Sequence, residues 1–141
     1  MENLNPYKVV ENFESLVADY AGSKYAVAVD SCTNALFLCC KYLNVQNVCI
    51  PQNTYYAVPC SIINAGGKVS FEDIKWEKSY YLKPYPIIDA ATCFVRNMYI
   101  KESFYCVSFS ANKKINIGKG GMILTDSLDA KNWFKMARYM G

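Results

Sequence analysis

The sequence predicts an α/β domain with a mostly parallel sheet flanked by helices. Three observations carry that expectation. Helix-period and strand-like segments alternate along the first half of the chain, the order expected when helices cover the faces of a parallel sheet. The 141 residues are 52% hydrophobic and 15% aromatic, enough for one core in a single domain spanning 1–141. Four polar stretches, DSCTN, PQNTY, IIDAAT and SFSANKK, fall at predicted strand ends, where ligands of such sheets sit.

Each element has its own signal. Apolar positions in YKVVENFESLVADYAG follow a helical period, and Gly22 serves as the stop. KYAVAVDS is a short strand running into a turn. TNALFLCCKYLN is a buried helix capped by Ser31 or Thr33. NVCIP is a buried strand stopped by Pro51, and TYYAVPCSIINAGG a helix that ends at Gly66 and Gly67 despite Pro59. KVSFEDI, PYPIIDAA, FYCVSFS and GMILTDS supply four further strands. SLDAKNWFKMARYMG closes the chain as an amphipathic helix.

Composition excludes several classes. A net charge of +3 with no basic block gives no nucleic-acid face. The longest apolar runs, ALFLCC and YAVPCSII, are far too short to span a membrane. The start, MENLNPYKVVENF, lacks the basic-then-apolar pattern of a secretory leader, so a cytoplasmic protein is expected. Seven cysteines without a C-x-x-C pair, in a chain with no histidine, predict reduced core thiols rather than a metal site.

The candidate chemistry lies in the four polar stretches. Lys113 and Lys114 are adjacent, so each could depress the other's pKa and free an amine as nucleophile; alone, the pair reads first as charge on a solvated turn. Asp89 ends an apolar strand, where it could hold a proton on a heterocyclic nitrogen or cap the next turn. Ser31 and Thr33 open a helix after a strand, which suits a phosphate and suits simple capping equally. Ser108 and Ser110 could add hydroxyls to the same anion. Tyr55 could stack on a flat ring or pack in the core. INIGKGG is not a phosphate loop of the Walker type, because no Ser or Thr follows its lysine.

Taken in order, FESLVADYAGSKYAVAVDSCTNAL, VCIPQNTYYAVPCSIINAGGKVSFEDI, PIIDAAT and CVSFSANKKINIGKGGMILTD resemble the DegT-like sugar aminotransferases. These are pyridoxal 5′-phosphate enzymes of fold type I. The resemblance implies a shortened cofactor-binding large domain without the C-terminal small domain. It also assigns roles. Lys113 matches the lysine that bonds to the cofactor, and Asp89 the partner of its ring nitrogen. Tyr55 matches the stacking aromatic. Thr33 and Asn34 match the phosphate-binding turn, and Ser108 a hydroxyl on the same phosphate. Thr92 stands where a glutamine or histidine normally contacts the ring oxygen. The implied reaction is amino transfer from a donor such as glutamate to the keto group of a nucleotide-linked sugar. The implied assembly is a homodimer, or a pair with a complementing second chain.

The chain departs from the family pattern in two further places. Cys32 replaces the usual glycine of the phosphate turn, which would crowd the phosphate or leave an activated thiol. Only IKWEKSYYLKPYPIID leads from Asp73 to Asp89, where the family inserts a strand–helix excursion. These departures also suit a different class of protein, a non-catalytic relic that binds the cofactor or a phosphorylated ligand, or an interaction subunit.

Overall fold

The computed structural model describes residues 5–140. Its elements run α1 (Lys8–Ala21), β1 (Tyr25–Val29), α2 (Cys32–Tyr42), β2 (Asn47–Pro51), α3 (Ala57–Asn64) and β3 (Lys68–Glu72). Then follow β4 (Tyr80–Tyr81), β5 (Ile87–Ala90), β6 (Phe104–Ser108), β7 (Gly121–Thr125) and α4 (Leu128–Met140).

Local sequence explains the helix boundaries. The first helix, α1, buries Glu14, Val17, Ala18 and Ala21, positions three and four apart along one stripe. It stops at Gly22, whose φ of +83° is the left-handed conformation that a side chain would strain. Ser31 caps α2 from an extended backbone, its Oγ accepting the N–H of Asn34. Pro59 is the third residue of α3, in the first turn, where no intrahelical donor is lost. The helix predicted from Thr54 therefore begins only at Ala57, and Tyr55 precedes it.

The α/β architecture with a helix-flanked sheet is present, but the sheet is mixed rather than mostly parallel. Five strands lie in the order β1-β7-β6-β5-β4, and β2 pairs with β3 separately. β5–β6 and β2–β3 are parallel; β1–β7, β6–β7 and β4–β5 are antiparallel. The reason is connectivity. The links from β4 to β5 and from β6 to β7 return the chain directly beside the strand just left, whereas a parallel return needs a crossover, which residues 91–103 supply between β5 and β6 without a helix.

Strand β4 has no counterpart in the sequence-based expectation. It lies in the short stretch between Asp73 and Asp89, and pairs Tyr80 opposite Asp89. The chain then bridges to the second sheet at Lys83. There Cys49 N–H donates to the Lys83 carbonyl at 2.8 Å, and Lys83 N–H returns a bond of 3.0 Å. A hairpin thus fills the seat between β5 and β2.

Both faces of the main sheet are buried. Along β6, Phe104 and Cys106 join the core beneath α2, α3 and α4, while Tyr105 and Val107 face the core shared with α1. Ile123 and its neighbours Met122 and Leu124 divide in the same way on β7. The ends of the chain are tied by Glu14, which is 5% exposed. It accepts from the Ala28 N–H at 2.9 Å and from Arg138 Nη1, which also donates to the Ala28 carbonyl at 2.8 Å.

Candidate functional site

Strand directions gather the polar stretches at one edge. β1 and β6 both oppose β7, and β5 parallels β6, so their C-terminal ends point the same way. β2 opposes the Lys83 segment, which itself runs against β5, so β2 ends on that side too. Between these ends lies a cavity of about 500 Å³, within the range of cofactor and small-ligand sites. Thr33, Tyr55, Asp89, Thr92, Ser108 and Lys113 all line it. Asn34 does not. Its side-chain amide donates to Asp30 Oδ1, its N–H is taken by the Ser31 cap, and it borders a separate hollow beside Arg138.

Asp89 lies at the base of the cavity, near the end of β5, with 7% exposure. Its Oδ2 accepts the Tyr80 hydroxyl at 2.7 Å and its Oδ1 the Ala91 N–H at 3.0 Å. Burial raises its pKa above the ordinary carboxyl value; the two hydrogen bonds and the charge of Lys113 act against that rise without cancelling it. Tyr80, half of a two-residue strand, also shares a short hydrogen bond with Thr54. Burial and the Asp89 charge raise its phenol well above the usual value.

Lys113 is half-buried in the turn after β6, its N–H donating to the Ser110 carbonyl at 3.0 Å. Its charge is felt at both Asp89 and Cys32. Lys114 is exposed and borders only a smaller hollow of about 150 Å³ behind it. The two adjacent lysines are therefore not equivalent.

Hydroxyls and a helix terminus also line the cavity. Ser108 and Ser110 lie with their Oγ atoms 3.1 Å apart, and Thr33 sits exposed in the first turn of α2. The first N–H groups of a helix have no intrahelical acceptor and carry partial positive charge, the arrangement an anion requires. Gly121 holds this terminus in place. A Cβ there would come within 2.4 Å of the Ser31 carbonyl carbon and 2.6 Å of the Cys32 nitrogen.

Cys32 corrects one expectation. The residue is 8% exposed and joins the core; burial first, then the negative charge of Asp89, pushes its pKa well up. It is a buried thiol, not an activated one, and it also lines the cavity, so the expectation that a side chain crowds the phosphate turn stands. Tyr55 also resolves, since its ring is 62% exposed at the cavity and 4.4 Å from that of Tyr56, not in the core. Thr92 Oγ1 donates to the Lys78 carbonyl at 3.1 Å. Trp76 is a lining residue that the sequence did not suggest; its Nε1 donates to the Asn53 carbonyl at 2.8 Å. Thr54 and Tyr80 were equally silent, because nothing in YY or NTY signals their meeting.

The donor set suits pyridoxal phosphate: an amine, a buried acid for a ring nitrogen, an exposed ring for stacking, and hydroxyls with a helix terminus for phosphate. Among the described residues no group of three or more His, Cys, Asp or Glu side chains is placed to hold a metal ion, and no helix is long and apolar enough to cross a membrane.

Comparison with known proteins relates the chain to aminotransferases. The model of the DegT/DnrJ/EryC1/StrS aminotransferase family matches residues 2–97, a range that includes Asp89 but not Ser108 or Lys113. The UDP-4-amino-4,6-dideoxy-N-acetyl-beta-L-altrosamine transaminase of Campylobacter jejuni subsp. jejuni serotype O:2 is 38% identical over 76 residues, 52% of this chain and 20% of that one. The spore coat polysaccharide biosynthesis protein SpsC of Bacillus subtilis strain 168 is 35% identical over 86 residues, 59% of this chain and 22% of its own length. The matched stretch therefore spans about a fifth of each of these relatives. Among solved structures, NtdA from Bacillus subtilis with bound cofactor PMP superposes on 96% of this chain and 40% of its own, with a TM-score of 0.79 at 18% identity.

Proposed function

Since the chain belongs to the DegT/DnrJ/EryC1/StrS aminotransferase family, we propose that its cavity binds pyridoxal 5′-phosphate for amino transfer to a keto group of a nucleotide-linked sugar. One observation carries this reading. Lys113, the buried Asp89 and the N-terminus of α2 line one cavity, although they come from distant parts of the chain. The substrate class is supported by the Campylobacter relative, a UDP-sugar transaminase, and glutamate is the proposed amino donor.

Each residue has a task. The α2 terminus, with Thr33 and Ser108, binds the phosphate. Tyr55 would stack on the ring, Thr92 would meet its ring oxygen, and Asp89 would hold the proton of the ring nitrogen. When bound, the cofactor supplies an electron sink for bond breaking at the donor's α-carbon. Lys113 Nζ would hold the cofactor and, once the donor amine has taken its place and freed it, would move the proton at that carbon as general base. A second chain, a further copy or a complementing polypeptide, completes the site above the exposed Tyr55 and Thr92.

Titration of the purified protein with pyridoxal phosphate, followed by borohydride reduction and peptide mass mapping, tests the reading. A yellow, reducible adduct on Lys113, lost in Lys113→Ala, is expected. An adduct on Lys114 or scattered over surface lysines overturns the assignment. A second reading, binding without turnover, is favoured by the hairpin that replaces the family's longer excursion. Amino transfer from glutamate by the purified chain alone would remove it.

A further inference from the structure

We infer that Tyr80 is the positioning residue for Asp89, holding the carboxylate oriented and anionic for the ring nitrogen through a relay that runs from Thr54 to Tyr80 to Asp89. The inference rests on the cofactor reading above and concerns residues that no match with the family assigns. It begins with direction. Tyr80 has one hydroxyl hydrogen, and its oxygen lies 2.7 Å from Asp89 Oδ2, an acceptor when ionised. The short bond to Thr54 is then donated by Thr54, so the threonine polarises the phenol toward the acid.

The carboxylate still has room for the cofactor. An ionised carboxylate offers about four lone-pair sites. Tyr80 and the Ala91 N–H fill one on each oxygen, and the carboxylate remains among the cavity's lining groups. Two fixed donors leave the group a single orientation.

The surroundings of Asp89 otherwise work against its charge. Cys106 on β6 and Cys32 on α2 are buried and uncharged, and Lys113 across the cavity is the cation that acts on it. Tyr80 is the side chain that donates to it directly. Its source is the β4–β5 hairpin. The hairpin places Tyr80 opposite Asp89 by strand register, and the Trp76 ring covers it with centroids 4.7 Å apart. The shortened excursion therefore returns a hydrogen-bond donor to the site.

Wild type, Tyr80→Phe and Thr54→Val should be compared in two measurements. Carbon-13 NMR of aspartate-labelled protein without cofactor follows the Asp89 carboxyl through pH, assigned with Asp89→Asn. Visible absorption of the protein loaded with pyridoxal phosphate follows affinity and the pH midpoint of the yellow band. In Tyr80→Phe the Asp89 titration is expected at higher pH, with cofactor affinity about tenfold weaker, the loss expected for one hydrogen bond to a charged group. The band midpoint moves to higher pH as well, because a ring nitrogen without its anionic partner withdraws less charge from the nitrogen of Lys113. Thr54→Val moves all three in the same direction by less, and decides the matter if Tyr80→Phe does not fold. Wild type carrying the adduct on Lys113, with both variants titrating like wild type, overturns the inference and leaves the cofactor reading standing. A lower melting temperature with unchanged titrations also overturns it, since Tyr80 would then be structural only. Absence of any Lys113 adduct in wild type overturns both.

Discussion

Removing the charge of Asp89 while keeping its shape is expected to stabilise the cofactor-free protein at neutral pH. The folded pKa of this acid lies above its unfolded value, so the native state binds its proton more tightly. Its contribution to stability is fully present below the unfolded value of about 3.9, and is lost as pH rises through the raised native value. Asp89→Asn should therefore melt a few degrees higher than wild type at pH 7, and the difference should vanish toward pH 4 in paired thermal scans. The amide keeps an acceptor for the Ala91 N–H and a donor for the Tyr80 oxygen, while the tyrosine retains Thr54. At this scale legibility was uneven. Asp89 and Lys113 stood out because an acid and an amine at strand ends are chemically conspicuous. Tyr80 did not, because nothing in the KSYYLK stretch around it marks one tyrosine as chemical until strand register places an acid opposite it. Asn34 misled for the converse reason. A helix's first turn identifies which residues are near the anion, but not which side of the helix each amide takes.

Elements are fixed to one another by close backbone approaches as much as by side chains. Gly121→Ala forces β7 off the first peptide of α2, since no flexible side-chain end can yield there. Overpacking of this kind costs about 1–3 kcal/mol. Urea denaturation should show that loss, and pyridoxal phosphate should bind more weakly because the α2 terminus has moved. The helices and most strands were legible from periodicity, because amphipathic stripes and buried apolar runs are local properties. Strand direction was not. It depends on how the connecting loop crosses the sheet: residues 91–103 return the chain parallel and residues 109–120 antiparallel, and neither carries a helix. Strand β4, two residues long, is too short for any period to show. The start of α3 moved from Thr54 to Ala57, and that shift releases Tyr55 to the cavity mouth.

The molecule as a whole is clasped between its first and last helices. Arg138 and Glu14 are 124 positions apart, yet their pair joins α1, β1 and α4, with Lys135 a further 3.4 Å contact. Arg138→Met leaves Glu14 buried without its main partner. Breaking a buried pair from one side costs about 3–5 kcal/mol, a large share of the roughly 5–15 kcal/mol that keeps a domain folded. A chemical-denaturation midpoint far below wild type is expected, and Glu14→Gln with Arg138→Met should recover part of the loss. The overall α/β class was legible because composition and alternation are global averages, whereas this clasp joins residues that no local pattern relates. The pairing of β1 with β7 has a consequence for synthesis. Tyr25 meets Thr125, so β1 leaves the ribosome about a hundred residues ahead of the strand it pairs with. At about 5–20 residues per second, that interval is roughly 5–20 seconds. Throughout it the nascent chain carries an apolar strand without its permanent neighbour, a period in which chaperone access, more than final stability, decides how much protein the cell obtains.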